Sequence, residues 1–359
     1  MRPGRILLFV TDLEIGGTPT VVRELAFRLR GHASVTVGCL KPAGPVADEL
    51  RGGGIPVFDL DARTPLALPA VVGRFAAKVK ADRFDTVLSF LVHANAVAAA
   101  ARGFCRGVTF IQSIQTTQPK PKWHWRVQSV AQRAADRVVV PSRSAGEVAG
   151  QWARVPREKI VVIPNAVDSS TIVSPPEGRS TGGSFRLGFV GRLDPVKRVP
   201  VLVGQVARLR SWGIAATLDI FGDGPERSAV EREIARQNLA GQVRLHGVIP
   251  RADAAWPQMD CLVLPSLAEG FGLVLIEAMA AGVPVVATDV PGIGDVVRHG
   301  YNGLLVELNA LDGIALAVRR LVDEPQLRSE LIANGQRHVR EHFTWDVVLP
   351  QYLKLLNLI

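Results

Sequence analysis

The sequence predicts an α/β protein built from two doubly wound domains. Its 359 residues exceed the length that a single hydrophobic core usually supports. Along both halves, short segments that are apolar at nearly every position alternate with segments whose apolar residues recur at helical spacing. Strands that are apolar on both faces are typical of a parallel sheet covered by helices, and the alternation is typical of βαβ units.

The first domain is predicted over residues 1–168. It opens with a strand, a helix and a strand in the segments ILLFVTDL, VVRELAFRLR and SVTVGCL. Three more apolar segments, DTVLSFL, GVTFIQSI and RVVVPS, predict further strands of the same sheet.

A linker and a second domain follow. Residues 169–185 are rich in Ser, Pro, Gly and Thr and show neither a helical nor a strand period, so they are predicted to form the linker. Residues 186–343 again alternate strands and helices, from FRLGFVG through CLVLPS to VPVVAT. Residues 344–359 predict a C-terminal helix with a kink at Pro350.

Composition excludes several classes of protein. The three cysteines are scattered without the spacing of a metal site or a disulfide framework, which favours a reducing cytosol and a cytoplasmic protein. The apolar run at the N-terminus ends at Asp12 and is too short for a signal peptide. The most apolar window, residues 271–290, contains Glu277 and Pro284, so no segment is predicted to span a bilayer.

Positive charge is concentrated in the first half. The first 175 residues hold 23 Lys and Arg against 13 Asp and Glu, whereas the remaining residues hold 19 against 20. This asymmetry indicates a negatively charged partner on the first domain, such as an anionic membrane surface or a lipid-linked phosphate. A solvated basic surface explains the charge equally well, and no nucleic-acid motif accompanies it.

The segment AEGFGLVLIEAMAAGVPVVAT carries the strongest local signal. Two carboxylates, Glu269 and Glu277, have seven residues between them, and a helix is predicted to start near Leu273. Glycines beside the first carboxylate let the backbone approach a ligand, and the amides of a helix start attract phosphate or sugar oxygens. Glu269 on the loop could reach sugar hydroxyls, while Glu277, two turns into the helix, could reach a ribose. Taken alone, this spacing also fits a tight turn and an ordinary helix surface.

Three other loops supply candidate ligand contacts. Arg192 and Lys197 in GRLDPVK follow a strand end, where ligands of open α/β sheets bind, and both suit a diphosphate. The remaining candidates are close-approach glycines and one neighbour, found in FGDGPER and VRLHGVIP: Gly222, Gly224, Gly247 and Val248.

The ordered set GRLDPVK, FGDGPE, LHGVIP and EGFGLVLIEAMAAGVPVVAT closely resembles family-4 glycosyltransferases of the GT-B fold, over about residues 135–306. The resemblance implies two Rossmann-like domains facing a cleft, with the C-terminal helix returning to the first. It implies that Arg192 and Lys197 neutralise the donor diphosphate, that Glu269 contacts the transferred sugar, and that Glu277 contacts the ribose. It also implies donor contacts from the amides of Gly270, Phe271, Gly272 and Leu273.

In the first domain, DLEIGGTPTVV resembles the flexible loop of the family, with Gly16 and Gly17, which closes over donor and acceptor. His93 in FLVHANAV resembles the histidine that touches the 6-position of the sugar. The catalytic set implied by the resemblance is therefore His93, Arg192, Lys197 and Glu269. One departure is Ala166 in VIPNAVD, where the family commonly has glycine.

The resemblance implies transfer with retention of anomeric configuration. Neither half offers an obvious nucleophile, so same-face substitution assisted by the leaving diphosphate is the favoured hypothesis. No cofactor and no metal are expected. Asp59 and Asp61 formally match a metal-binding D-x-D but lie far in sequence from the phosphate-binding set, and are interpreted as a strand-end loop.

The family range suggests the substrates. A UDP-hexose or UDP-N-acetylhexosamine is the favoured donor, ahead of GDP-mannose, with a growing polysaccharide or lipid-linked glycan as acceptor. The segment TTQPKPKWHWRVQSVAQRAADR combines basic residues with two tryptophans, which suits peripheral membrane contact or a lipid-linked acceptor. A solvated helix with packed tryptophans fits it equally well.

Two other functions also fit the sequence. Sugar-nucleotide 2-epimerases share the two-domain fold, and a non-catalytic binding subunit could keep the fold without the chemistry. A nicotinamide dehydrogenase is disfavoured, because G-x-G-x-x-G is missing after the first strand.

Overall fold

A computed structural model describes residues 4–64, 67–173 and 183–359. Contacts divide the chain into two compact units. The first unit contains residues 1–165 together with the C-terminal residues 348–359, and the second unit contains residues 166–347. Of the predicted linker, residues 174–182 lie outside the described residues, and Ser169–Thr171 form a 3-10 turn.

The first unit is a parallel sheet covered by helices. Its strands are β1 (Arg5–Val10), β2 (Ser34–Cys39), β3 (Val57–Asp59), β4 (Thr86–Phe90), β5 (Thr109–Ser113), β6 (Arg137–Val140) and β7 (Ile160–Val162). Its helices are α1 (Gly17–Leu29), α2 (Pro45–Gly52), α3 (Leu68–Ala81), α4 (Val92–Ala101), α5 (Lys122–Ala131) and α6 (Arg143–Ala153). The strand order is β3-β2-β1-β4-β5-β6-β7, with all pairs parallel.

The second unit repeats this plan with a smaller sheet. Its strands are β8 (Phe185–Val190), β9 (Ala216–Phe221), β10 (Val243–Gly247), β11 (Cys261–Leu264), β12 (Val285–Thr288) and β13 (Leu304–Val306). Its helices are α7 (Val199–Ser211), α8 (Arg227–Arg236), α9 (Leu273–Ala280), α10 (Gly313–Asp323) and α11 (Pro325–His342). The strand order is β10-β9-β8-β11-β12-β13, again with parallel pairs. The α/β class and the doubly wound plan predicted from sequence are confirmed.

The last helix, α12 (Trp345–Leu355), begins in the second unit and ends in the first. Pro350 lies inside it. Residues after Val347 therefore group with the first unit, as the resemblance implied for the C-terminal helix.

Each sheet has one point where the chain reverses its direction of winding. In the first unit this point lies between the adjacent strands β1 and β4, and in the second unit it lies between β8 and β11. At such a point the two following loops turn to opposite faces of the sheet and leave a crevice at the carboxyl ends of the strands, where open α/β sheets bind ligands. The topology therefore places a candidate ligand crevice beside one pair of loops in each unit.

Burial of His338 on α11 predicts a pH dependence of stability. Burial, with smaller effects of His342 and Arg298, lowers the pKa of this imidazole from 6.5 to about 4. Below pH 6.5 the unfolded chain therefore binds a proton at this histidine, whereas the folded chain binds it only near pH 4. The free energy of unfolding falls as pH falls through this window. We expect His338→Gln to remove up to about 3 kcal/mol of this fall. Denaturant unfolding at pH 7 and at pH 4.5 measures the free energy of unfolding of the wild type and of the variant. An equal fall between these two pH values in both proteins would contradict the assignment.

Candidate active site

Lys197 and Glu269 meet at the winding reversal of the second unit. Lys197 ends the 3-10 turn Pro195–Lys197 after β8, and Glu269 lies on the loop after β11. The Lys197 Nζ atom donates to the Glu269 Oε1 atom at 2.5 Å, and both side chains are largely buried. A backbone hydrogen bond from Leu267 N to Val196 O, at 2.7 Å, joins the same two loops. The topology therefore brings together two residues that are 72 positions apart in the sequence.

One buried hydroxyl group bonds the Glu269 carboxylate, and a second bonds the backbone of that first residue. Ser266 Oγ donates to Glu269 Oε1 at 2.6 Å, and Thr288 Oγ1 at the end of β12 donates to Ser266 O at 2.5 Å. The carboxylate is thus aimed by a second layer of hydrogen bonds. Sequence reasoning missed both residues, although Ser266 lies two residues after an apolar strand and Thr288 ends another.

Backbone packing explains two of the predicted glycines, and a left-handed φ of +73° explains a third, Gly247. A Cβ atom on Gly222 would lie 1.9 Å from Gly191 O, and one on Gly224 would lie 2.7 Å from Leu193 O. Gly222 N also donates to Gly247 O at 2.7 Å. Gly222 and Gly224 therefore allow the loops after β8 and β9 to pack backbone against backbone. Contact of these loops with a donor stays a prediction, as it does for the neighbouring exposed Val248.

The loop around Glu269 ends at the start of α9. Gly272 has φ +81°, a left-handed conformation that favours glycine, and no side chain of the described residues caps the helix that begins at Leu273. The first N–H groups of such a helix have no partner within it and carry partial positive charge. The Phe271 side chain is buried and packs edge-on against Phe343 at 5.3 Å between ring centroids, so a ligand contact of this residue would fall to its backbone.

The position of Glu277 corrects one expectation. Because α9 begins at Leu273, Glu277 lies four residues in, about one turn from the helix start and not two. Its side chain is half-buried. Along the helix, Glu277 therefore lies one turn nearer to the loop of Glu269 than the sequence interpretation placed it.

Arg192 occupies a more exposed part of the loop after β8. Its side chain is 71% exposed, and its Nε atom lies 3.0 Å from Asp194 Oδ2. The structure thus joins Lys197 to Glu269 and places the second predicted cation at the surface of the same loop. Long exposed side chains change rotamer readily, so this position still suits recognition of an entering anion.

The winding reversal of the first unit brings together the predicted Gly-Gly loop and His93. Gly16 and Gly17 follow β1, and α1 begins at Gly17. Gly16 has an extended backbone, and a Cβ atom on Gly17 would meet no atom of the described residues within 4 Å, so neither backbone angle nor packing in this conformation requires glycine. The predicted role of these two glycines in a flexible loop stays a prediction.

His93 lies in the first turn of α4, directly after β4. Leu91, between the strand and the helix, has φ +71°, a strained value for a branched side chain. Partial burial and the nearby Lys41 ammonium lower the pKa of His93 below its ordinary value, although Asp12 opposes this effect. The imidazole is therefore neutral at pH 7 and can both donate and accept a hydrogen bond.

The structure gives the D-x-D segment a local role. Asp59 ends the edge strand β3 and accepts a hydrogen bond from Asp61 N at 3.1 Å, while Asp61 pairs with Arg63 at 2.7 Å. Within the described residues, no group of three or more His, Cys, Asp or Glu is placed to hold a metal ion. Over the same residues, no helix has both the length and the apolar character needed to cross a bilayer.

The two units together have the GT-B fold. A crystal structure of Anabaena Alr3699/HepE with UDP and glucose superposes with a TM-score of 0.88 at 23% sequence identity, covering 99% of this chain and 100% of that one. Residues 15–171 match the model of Glycosyltransferase Family 4, and residues 174–338 match that of Glycosyl transferases group 1. The chain belongs to the family-4 glycosyltransferases.

Curated relatives agree with this family. A D-inositol 3-phosphate glycosyltransferase of Rhodococcus opacus is 36% identical over 170 residues, which are 44% of this chain and 37% of the relative. A protein of the same name from Actinosynnema mirum is 32% identical over 246 residues, 64% of this chain and 58% of the relative. The chain thus spans between about one third and three fifths of the length of these relatives.

Proposed function

We propose that the chain is a retaining glycosyltransferase. It moves a hexose or N-acetylhexosamine from a UDP-sugar to a polysaccharide or lipid-linked glycan. The observation that carries the proposal is the Lys197 to Glu269 ion pair at the winding reversal of the second unit, next to the start of α9. A cation, a carboxylate and a helix start at one crevice suit a sugar attached to a diphosphate. UDP is favoured as the nucleotide because Alr3699/HepE, of the same fold, was crystallised with UDP and with UDP-glucose.

The described geometry supports a division of roles. The Lys197 ammonium has three N–H donors and uses one on Glu269, so two remain for diphosphate oxygens. The Glu269 carboxylate, which Lys197 and Ser266 orient through Oε1, is assigned to a hydroxyl group of the transferred sugar. Glu277 is assigned to the ribose, the Gly270–Leu273 amides to phosphate and sugar, and Gly247 and Val248 to the base edge.

The proposed step is a same-face substitution. The acceptor oxygen forms a bond to the anomeric carbon as the bond from that carbon to the diphosphate oxygen breaks, and the acceptor proton passes to the leaving diphosphate. Lys197 and Arg192 stabilise the negative charge that develops on this leaving group. Glu269 is held as a hydrogen-bond acceptor and is not assigned as a nucleophile. Metal independence is part of the proposal, and full turnover in EDTA is the result expected.

A thermal-shift screen against UDP, GDP, ADP and NAD tests the donor assignment. A ligand that binds only the folded protein raises the free energy of unfolding, by about 2.7 kcal/mol at a hundredfold excess over Kd. We expect a selective rise in Tm with UDP that is lost in Glu277→Ala and kept in Glu330→Ala, an exposed carboxylate on α11. A rise in Tm with NAD alone would overturn the proposal. The absence of a rise in Tm with every nucleotide tested would overturn it as well.

We also propose that the first unit binds an anionic membrane surface. Five basic residues on and around α5 are exposed, together with Val130: Lys120, Lys122, Arg126, Arg133 and Arg137. Each such cation near an anionic bilayer contributes about 1 kcal/mol of attraction, which salt screens. We expect the protein to bind phosphatidylglycerol vesicles at low salt. Binding should weaken in 0.5 M salt, because the electrostatic screening length is ~3-fold shorter there than at low salt. Equal recovery on neutral phosphatidylcholine vesicles would show that charge is not the cause.

A further inference from the structure

Three aromatic rings form a cluster at the carboxyl edge of the first sheet. The ring centroid of Trp123 lies 4.0 Å from that of His124 and 5.7 Å from that of His93, and the two imidazoles lie 5.6 Å apart. All three pairs meet edge to face. Because β4 and β5 are adjacent and parallel, the starts of α4 and α5 that carry these rings follow neighbouring strand ends.

The indole of Trp123 is unusual for its exposure. It is 49% exposed, whereas Trp125, two residues later, is buried against Trp152 and donates its Nε1 hydrogen to Gln118 O at 2.8 Å. Trp125 therefore accounts for the packing of α5, and Trp123 adds nothing comparable to the core. A large aromatic ring left in solvent beside two imidazoles is available to a ligand.

A buried amide network fixes the position of this cluster. Asn95, two residues after His93, donates to Gln128 Oε1 at 3.0 Å and to Ser113 O at 3.1 Å. Gln128 in turn donates to Gln112 Oε1 at 2.8 Å. These hydrogen bonds tie α4, α5 and β5 together inside the unit, so the rings at the two helix starts are held in a preformed arrangement.

The chemistry of the cluster matches a sugar ring. A pyranose presents C–H bonds on one face, which pack against an aromatic face, and hydroxyl groups at its edge, which need neutral donors and acceptors. Burial lowers the pKa values of both His93 and His124, with the neighbouring imidazole adding to the effect at His124, so both imidazoles are neutral at pH 7. Neutral imidazoles suit hydroxyls better than they suit a phosphate.

We propose that Trp123 and His124, which lie beside the predicted donor-sugar contact His93, form a subsite for a sugar ring of the acceptor, with the apolar face of that ring against the indole. That the bound sugar belongs to the acceptor rests on the proposed function. That the cluster binds a sugar ring rests on the geometry of the first unit alone. It makes the acceptor a glycan or glycoside, not a bare phosphorylated polyol or lipid alcohol.

Saturation-transfer NMR with methyl glycosides tests the subsite directly, since these probes lack an aromatic aglycone. The series comprises methyl glucoside, galactoside, mannoside and N-acetylglucosaminide, with the ring-opened sugar alcohols as controls. We expect at least one glycoside to bind the wild type while its sugar alcohol does not. Trp123→Ala should weaken this binding about tenfold, Trp123→Phe should restore most of it, and Phe104→Ala, an exposed ring before β5, should leave it unchanged.

Two further readouts separate the explanations. UDP binding should be equal in all four proteins, and in turnover assays Trp123→Ala should raise the KM for the acceptor without changing that for the donor. If the wild type transfers no sugar at all, the proposed function fails, while glycoside binding still decides the subsite. Absence of glycoside binding, unchanged binding in Trp123→Ala, or loss of vesicle binding alone in that variant would overturn the proposal.

Discussion

Lys197→Ala should lower kcat/KM for sugar transfer by about three orders of magnitude, roughly 4 kcal/mol of transition-state stabilisation. The substitution removes the cation that we propose faces the leaving diphosphate. It also removes the only positive charge that the structure places against the largely buried Glu269 carboxylate among the described contacts, and this negative charge then repels the charge that develops on the donor. Steady-state assays with UDP-sugar measure the loss, and Lys354→Ala, an exposed lysine on α12, should retain full activity.

A double-mutant cycle separates these two causes. If repulsion by the stranded carboxylate contributes, Lys197→Met combined with Glu269→Gln will lose less activity than the two single losses summed. Strict additivity would mean that the pair is not coupled in catalysis.

Arg192→Ala should lower kcat/KM less than Lys197→Ala, by about tenfold to a hundredfold, because the Arg192 side chain is 71% exposed. Unchanged turnover in that variant would remove Arg192 from the diphosphate site.

The predictable part of the fold is its interior. Central strands such as β1 and β11 are buried almost throughout, so their apolar runs stand out in the sequence. The strands that the sequence analysis did not identify, β3, β7 and β13, have three residues each and lie at sheet edges. Edge strands expose one side to solvent and need no continuous apolar run, so their composition does not distinguish them from loops.

The predictable part of the site consists of residues in recognisable motifs. Lys197 and Glu269 were identified from their loops and the resemblance, and the structure places them in contact. Ser266 and Thr288 were missed because an isolated hydroxyl residue has no distinctive spacing. Their importance depends on where strands β11 and β12 end relative to each other, which is a property of the sheet and not of a local sequence pattern.

Gly292, which sequence analysis also missed, supplies the second large expected effect. Its φ of +91° is strained for any residue with a Cβ atom. An added Cβ would lie 2.1 Å from Glu269 O and 2.9 Å from the carbonyl carbon of Gly270. Both are backbone atoms, so the clash cannot be relieved by a rotamer change. The loop after β12 therefore supports the backbone of the predicted sugar-contacting loop at a distance that only glycine permits.

We expect Gly292→Ala to displace the Glu269 loop and to lower kcat/KM at least a hundredfold, at a stability cost of about 1–3 kcal/mol. Gly294→Ala is the matched control, since its Cβ would lie 3.6 Å from Asp289 Oδ1, an ordinary contact. Thermal unfolding should show that both variants are folded. If Gly292→Ala is folded and fully active, the loop tolerates displacement, and the position of Glu269 cannot be what the transfer depends on.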